Sequence, residues 1–336
     1  MIGAELVTLA HGNGGRLMRE LIDGIFARHL ANPALRVDCD AVPLDLPPDM
    51  EPVVTTDGFI VEPLHFPGGD IGTLAVHGTV NDLAVSGAHP RYLTLGAMIE
   101  EGLPLATLDA IVASLAAAAA AAGVVVVAGD TKVVPRGHGG GLYLTTTGVG
   151  LRARDCALDI EAIRPGDALL VSGPVGDHGV AVILAREEFD LRGDLASDCA
   201  SLVPFCAPLA AMSGVRFMRD ATRGGLATVA HEIARATGHD LVLDEAGIPV
   251  REQVQGVCEI LGYDPYYLAC EGRVVAAVAP DCAEEVLALW RALPDGDAAE
   301  TIGTIRKGRG RVVLRTVIGG ERFLDELEED ALPRIC

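Results

Sequence analysis

Hydrophobic residues first recur at helical spacing at Leu17, Leu21, Ile25 and Phe26, with Glu20 and Asp23 on the opposite face. An amphipathic helix therefore follows a looped first dozen residues. Pro43, Pro47, Pro48 and Pro52 punctuate the approach to a strand, Pro52–Thr56. The next helix starts near Asp70, carries Ile71, Leu74 and Ala75 inward, and runs toward Asn81-Asp82. A strand, Arg91–Met98, comes next. The apolar run from Ile111 to Gly129 has the length of a membrane span. Its internal pattern argues otherwise. Leu108, Ile111, Val112 and Leu115 repeat like one helix face, Gly123 interrupts, and four valines from Val124 read as a buried strand. Strand Leu142–Val149 completes one α/β unit.

A second unit opens after Arg164-Pro-Gly-Asp167. It reads as strand Ala168–Ser172, helices Gly179–Ala185, Pro204–Met212 and Gly225–Ala236, strand Arg273–Val278 and helix Cys282–Leu293. The pattern predicts an α/β (α+β) chain of two halves with a boundary near residues 151–165. At 336 residues, two domains also match the usual domain size.

Charge narrows the function. Lys and Arg number 26 against 47 Asp and Glu, a net charge of −21. That argues against a nucleic-acid partner, which needs a basic face. An anionic substrate has to be met by local cations, backbone N–H groups or a metal. Glycine stands at 40 residues, about 12% against a usual value near 7%, so backbone can approach a ligand closely at several points. The eight cysteines show no C-x-x-C pair. The opening Met1-Ile-Gly-Ala-Glu-Leu lacks the basic and apolar regions of a signal peptide, so reduced thiols in the cytoplasm, with no membrane association, are the expectation.

No G-x-x-x-x-G-K-[ST] is present, and Gly12-Asn-Gly-Gly-Arg16 is not a strand-to-helix G-x-G-x-x-G. What recurs is an acidic residue beside glycine or small residues where elements end. These are Asp57 in Thr55-Thr-Asp-Gly58, Asp82 after Asn81, Asp130 in Gly129-Asp-Thr-Lys132, and Asp220 in Asp220-Ala-Thr-Arg-Gly-Gly225. Each alone is an ordinary turn or helix end. Together they suit Mg²⁺, which takes one or two carboxylates and then polyphosphate oxygens. Gly-rich turns opening helices add N–H donors for phosphate. Lys132 stands just past one buried strand and Glu271 just before another, where a cleft would let them move protons. Pro333-Arg-Ile-Cys336 puts a thiol at the close of an acidic segment, a place for a swinging arm carrying a covalent group on sulfur.

These residues resemble a known family. Ala10-His-Gly-Asn-Gly-Gly-Arg16, Thr55-Thr-Asp-Gly58, Val80-Asn-Asp-Leu-Ala-Val-Ser-Gly-Ala88, Ala128-Gly-Asp-Thr-Lys-Val-Val134, Asp220-Ala-Thr-Arg-Gly-Gly-Leu226 and Pro333-Arg-Ile-Cys336 are similar to the HypE carbamoyl dehydratases of nickel–iron hydrogenase maturation. That family lies in the superfamily of aminoimidazole ribonucleotide synthetase and selenophosphate synthetase. The resemblance covers essentially the whole chain. It implies a two-domain aminoimidazole ribonucleotide synthetase-like fold: an ATP-binding and dimerisation domain over 1–155, an α+β domain over 156–322, and a mobile tail over 323–336. It implies that Asp57, Asp82 and Asp220 bind Mg²⁺ and ATP, with Asp130 and Thr131 near the phosphates. Lys132 and Glu271 match the pair that assists dehydration, and Cys336 the thiol that receives carbamoyl. Implied partners are a HypF-like carbamoyltransferase, a HypC–HypD-like iron scaffold and a second copy of the chain. A selenophosphate synthetase would carry its reactive Cys or selenocysteine near the start, and no Cys precedes Cys39 here. A small-molecule kinase and a non-catalytic acidic scaffold are the remaining rivals. The Gly-rich loop Pro135-Arg-Gly-His-Gly-Gly-Gly141 departs from the family pattern and receives no role.

Overall fold

Four strands with alternating burial build the first sheet. The computed structural model describes residues 5–37, 39–186 and 193–327. The first half runs through α1 (Arg16–Leu21), a π-helical stretch at 22–27, α2 (Arg28–Leu30), β1 (Met50–Phe59), and a small hairpin of β2 (His65–Phe66) and β3 (Gly69–Asp70). It continues with α3 (Ile71–Val85), β4 (His89–Glu100), α4 (Leu105–Ala121), β5 (Val125–Val134) and β6 (Leu142–Ala153). The sheet order is β1-β6-β4-β5, antiparallel except for the β4–β5 pair. Leu93, Leu95, Ala97 and Ile99 of β4 and Leu142 and Leu144 of β6 point to the buried face, as period-two alternation requires. Helices α3 and α4 cover that face. The opposite face stays open, with Val54 68% and Met98 45% exposed.

Helix α3 begins in a capping box. The Asp70 carboxylate accepts from the Thr73 amide at 2.9 Å, and the Thr73 hydroxyl accepts from the Asp70 amide at 2.9 Å. It is buried almost all round, because the sheet and α4 lie on one side and, on the other, the helix Val203–Cys206 and the strand Val215–Asp220 of the second half.

The second half comprises β7 (Ala168–Val171), α5 (Asp177–Ala185), α6 (Val203–Cys206), β8 (Val215–Asp220), α7 (Gly225–Thr237) and β9 (Asp240–Asp244). Then follow α8 (Glu252–Leu261), β10 (Val274–Val278), α9 (Ala283–Arg291), β11 (Glu300–Arg306), β12 (Val312–Arg315) and β13 (Glu321–Phe323). Its seven strands are ordered β13-β12-β9-β11-β7-β10-β8. Leu226, Val229, Ala230 and Ile233 of α7 pack on one face of this sheet, and Val286, Leu287 and Trp290 of α9 on the other. Apolar packing crosses between the halves. Val180, Val182 and Ile183 of α5 join the cluster of Ile71, Leu74 and Leu108, while Ala84 and Val85 of α3 join that of Trp290.

Several boundaries differ from the sequence pattern. Asn81-Asp82 lies inside α3, not after it. Gly129–Lys132 does not follow a strand but continues it, because β5 pairs with β4 as far as Glu100↔Val134. The stretch Pro204–Met212 is the short α6 and a separate 3₁₀ turn at Leu209–Ala211, not one helix. Strands β8, β9, β11, β12 and β13 and helix α8 are additional to the pattern. In β8, the sequence Val-Arg-Phe-Met-Arg-Asp lacks clean alternation, so its strand state comes from pairing with β10. Among the described residues, no helix is long and apolar enough to cross a membrane.

Candidate active site

Four separated carboxylates meet where α3 faces the second half. Thr55 and Asp57 share the inward row of β1, and Asp82 comes from α3 beneath it. The Thr55 hydroxyl donates to Asp82 Oδ2 at 2.8 Å, tying strand to helix. Gly78, one helical turn before Asp82, makes room for this approach. A Cβ built there would lie 2.7 Å from Phe59 Cε1 and 3.8 Å from Asp57 Oδ2. Asp220 arrives from the other half at the end of β8 and is 4% exposed.

Arg219 links the two halves. Its Nη1 lies 2.8 Å from Asp220 Oδ1 and 3.7 Å from Asp82 Oδ1, and its Nε donates to Glu232 Oε2 at 3.1 Å. Asn81 makes a second link. Its amide donates to the Ala200 carbonyl at 3.0 Å and the Glu271 carbonyl at 3.2 Å, and its oxygen accepts from the Leu202 amide at 2.7 Å. Glu271 is thereby fixed beside the carboxylates, with its own amide donating to Asp198 Oδ1 at 3.0 Å.

Crowding of like charges out of water has the expected electrostatic effect. Burial pushes Asp220 up to about 6 against the pull of Arg219, and Asp82 and Asp57 add to the rise. Asp57 is raised by burial and by Asp82, partly offset by the Gly58 amide and by Arg223 and Arg219. Glu271 is pushed well above the carboxylate range by burial, then by Asp220, Asp198 and Asp57, with Arg223 opposing.

Just beyond Asp220, Gly224 and Gly225 take φ of +74° and +59° in succession and open α7. A Cβ on Gly225 would stand 2.5 Å from the Leu268 carbonyl oxygen, so only glycine closes this turn. The Gly225 amide donates to the Thr222 carbonyl at 2.9 Å, while the following first-turn N–H groups of α7 and the Arg223 side chain lie beside the acidic cluster as donors of the kind that meets anions.

Asp57, Asp82, Asp220 and Glu271 are thus brought together, whereas Asp130, Thr131 and Lys132 are not. β5 and β1 are opposite edges of the four-stranded sheet, about 14 Å apart at three strand spacings. Lys132 Nζ instead pairs with Asp130 Oδ2 at 2.8 Å, both side chains being 66% exposed. The Thr131 hydroxyl is buried without a hydrogen-bond partner. Cys336 lies outside the described residues. Among the described residues, no three His, Cys, Asp or Glu side chains stand close enough to hold a metal by themselves.

Arg219, Arg223, Asp198 and the clamp made by Asn81 are absent from the sequence-based site. The signal available for two of them was the basic residue on either side of Asp220, in Arg219-Asp220-Ala-Thr-Arg223.

Comparison with known proteins places this geometry. Residues 38–152 match the AIR synthase related protein N-terminal domain, and residues 164–315 match the corresponding C-terminal domain. The chain is 47% identical to the carbamoyl dehydratase HypE of Cupriavidus necator over 332 residues, 98% of this chain and 95% of that protein. The crystal structure of hydrogenase maturation protein HypE in complex with ATP superposes with a TM-score of 0.93 at 44% identity, covering 98% of this chain and 99% of that one. The structure of a HypE–HypF complex gives a TM-score of 0.80 at 40% identity, over 93% of this chain and 100% of that chain. With near-complete coverage in both directions and a shared two-domain fold, the chain belongs to the carbamoyl dehydratase HypE family of AIR synthase related proteins.

Proposed function

We propose that this chain uses ATP to dehydrate a carbamoyl group carried on the Cys336 sulfur, leaving a thiocyanate that supplies the cyanide ligand of a nickel–iron hydrogenase. The observation that carries the reading is the convergence of Asp57, Asp82 and Asp220 with the buried Glu271 across the two halves. The HypE relative bound to ATP supports the nucleotide, and the HypE–HypF complex supports a HypF-like carbamoyl donor. The maturation role is consistent with a HypC–HypD-like complex as cyanide acceptor. The open face of the first sheet supports a homodimer. The absence of a membrane-crossing helix among the described residues is consistent with a cytoplasmic protein.

The reaction balances as thiocarbamate plus ATP giving thiocyanate, ADP and phosphate. An amide oxygen leaves poorly, and its transfer to phosphorus makes it part of a good leaving group. Phosphoryl transfer depends on positioning and charge neutralisation. Arg219 holds Asp82 and Asp220 in place, and the N–H groups after Gly225 receive phosphate oxygens. The charge of Asp82 raises the proton affinity of Asp57 and Asp220, which marks a site short of positive charge, and Mg²⁺ with phosphate oxygens fits that donor set. Held there by one or two of Asp57, Asp82 and Asp220 together with phosphate oxygens, Mg²⁺ would neutralise phosphate charge. Glu271, whose proton affinity is raised by burial, is the group placed to take a proton from the amide nitrogen. Lys132 and Asp130, about 14 Å away across their own sheet, would act on a site to which a second copy contributes.

The test is direct. Protein carbamoylated on Cys336 is incubated with Mg-ATP and weighed by intact-mass spectrometry. Loss of one water, absent in Cys336→Ala, is expected; an unchanged mass would overturn the reading.

A further inference from the structure

The chain beyond β13 does not leave the surface at once. Leu324 is 1% exposed and sits in the apolar cluster that includes Leu226, Ala230 and Ile233 of α7. Its amide donates to the Val312 carbonyl at 3.1 Å. The Leu324 carbonyl is 2.8 Å from His231 Nε2, and the Asp325 carbonyl accepts from the Tyr267 hydroxyl at 2.6 Å. Glu326 pairs with Arg235. Leu327 Cδ1 lies 3.7 Å from a Cβ built on Gly224. Gly224, His231 and Arg235 recur at helical spacing, so one face of α7, with Val312 and Tyr267 beside it, holds the segment.

We infer that His231, Tyr267 and Arg235 are positioning residues that moor Leu324–Leu327 on α7, so that the carrier segment starts at the rim of the acidic cluster. The inference rests on Cys336 being the carrier. Gly224 adjoins Arg223, whose charge acts on both Asp57 and Glu271, so Leu327 stands at the edge of the site. Cys336 is the ninth residue after it, a reach of at most about 30 Å. Two of the holding bonds go to backbone carbonyls, so that part of the mooring does not depend on the segment's polar side chains. Tethered concentration falls roughly as the −3/2 power of tether length. Released back to Phe323 in β13, the tether would be thirteen residues, lowering the concentration of Cys336 at the site about twofold.

The experiment uses full-length carbamoylated protein and follows water loss by mass in single turnover at saturating Mg-ATP. A synthetic peptide of residues 328–336 serves as competitor. The variants are His231→Ala with Tyr267→Phe, and an insertion of nine Gly/Ser residues after Leu327, which alters no described contact. When the tail is mostly outside the cleft, the rate reports the tethered concentration; when it is mostly inside, the half-inhibitory peptide concentration does. One of the two readouts is expected to fall about twofold in the double variant and about threefold in the insertion. His231→Gln, which keeps a donor toward the Leu324 carbonyl, should restore wild-type values to the Tyr267 background, with unfolding temperature unchanged. If wild type turns over but the double variant keeps both readouts, the mooring is wrong, whether or not the insertion slows the reaction. If wild type does not lose water, it is the assignment of Cys336 that fails.

Discussion

Asp220→Asn removes a carboxylate that folding raises from 3.8 to about 6, chiefly through burial. A group bound more tightly to its proton in the folded state stabilises the fold below its unfolded pKa, and that contribution is lost as pH rises through the folded value. For Asp220 the loss runs between about pH 4 and 6 and is complete at neutral pH. Taken from pH 4 to 7.5, the shift corresponds to about 2.5 kcal/mol of destabilisation. Asn keeps an oxygen for Arg219 but does not ionise. The variant should therefore match wild type near pH 4 and exceed it at pH 7.5, by about 5–10 °C in unfolding temperature for domains of this size. Glu271 loses the charge of Asp220, and the repulsion between Asp57 and Asp220 is removed, which works in the same direction. Calorimetric or fluorescence melts of nucleotide-free, Mg²⁺-free protein across this range measure the effect. Parallel pH profiles for the two proteins would refute the argument, because they would mean that Asp220 is not held ionised against its surroundings. Mg-ATP should then stabilise wild type more than the variant, reversing the order of the two melts.

Asp82→Asn should weaken Mg-ATP binding in titration calorimetry while leaving the far-ultraviolet circular dichroism unchanged, since the amide oxygen can face Arg219 and the amide nitrogen can donate to the Thr55 hydroxyl. Unaltered binding would remove Asp82 from the metal site. Asn81→Ala strips three hydrogen bonds from a buried junction and leaves the Leu202 amide without its acceptor. A loss of about 2–3 kcal/mol in urea unfolding is expected, together with a fall in turnover, because Glu271 is positioned through the same side chain. Stability within a few tenths of a kcal/mol of wild type would show that the junction is held elsewhere.

Local sequence rules alone sufficed for the α/β character, the first helices and strands, and the choice of acidic residues beside glycine or small residues, of which only Asp220 stands at the end of its element. A helix face such as Leu108, Ile111, Val112 and Leu115 repeats every three to four residues whatever it packs against, and the Asp220–Gly225 stretch contains the only residue type able to close its turn. The family motifs also marked Asp57, Asp82 and Asp220, and the resemblance pointed to Glu271. Strands such as β8 and β12 were not legible, because both their faces and their register are set by neighbours distant in sequence. The same holds for the site. Nothing in the spacing of residues 57, 82, 220 and 271 says that they meet, nor that Arg219 and Asn81 bind the halves together around them. Only the strand order shows that Lys132 stands at the far edge from Asp57. Tertiary structure also decided the chemistry, because a carboxylate's proton affinity depends on the water it loses and the charges it meets. Both of those are properties of the folded chain.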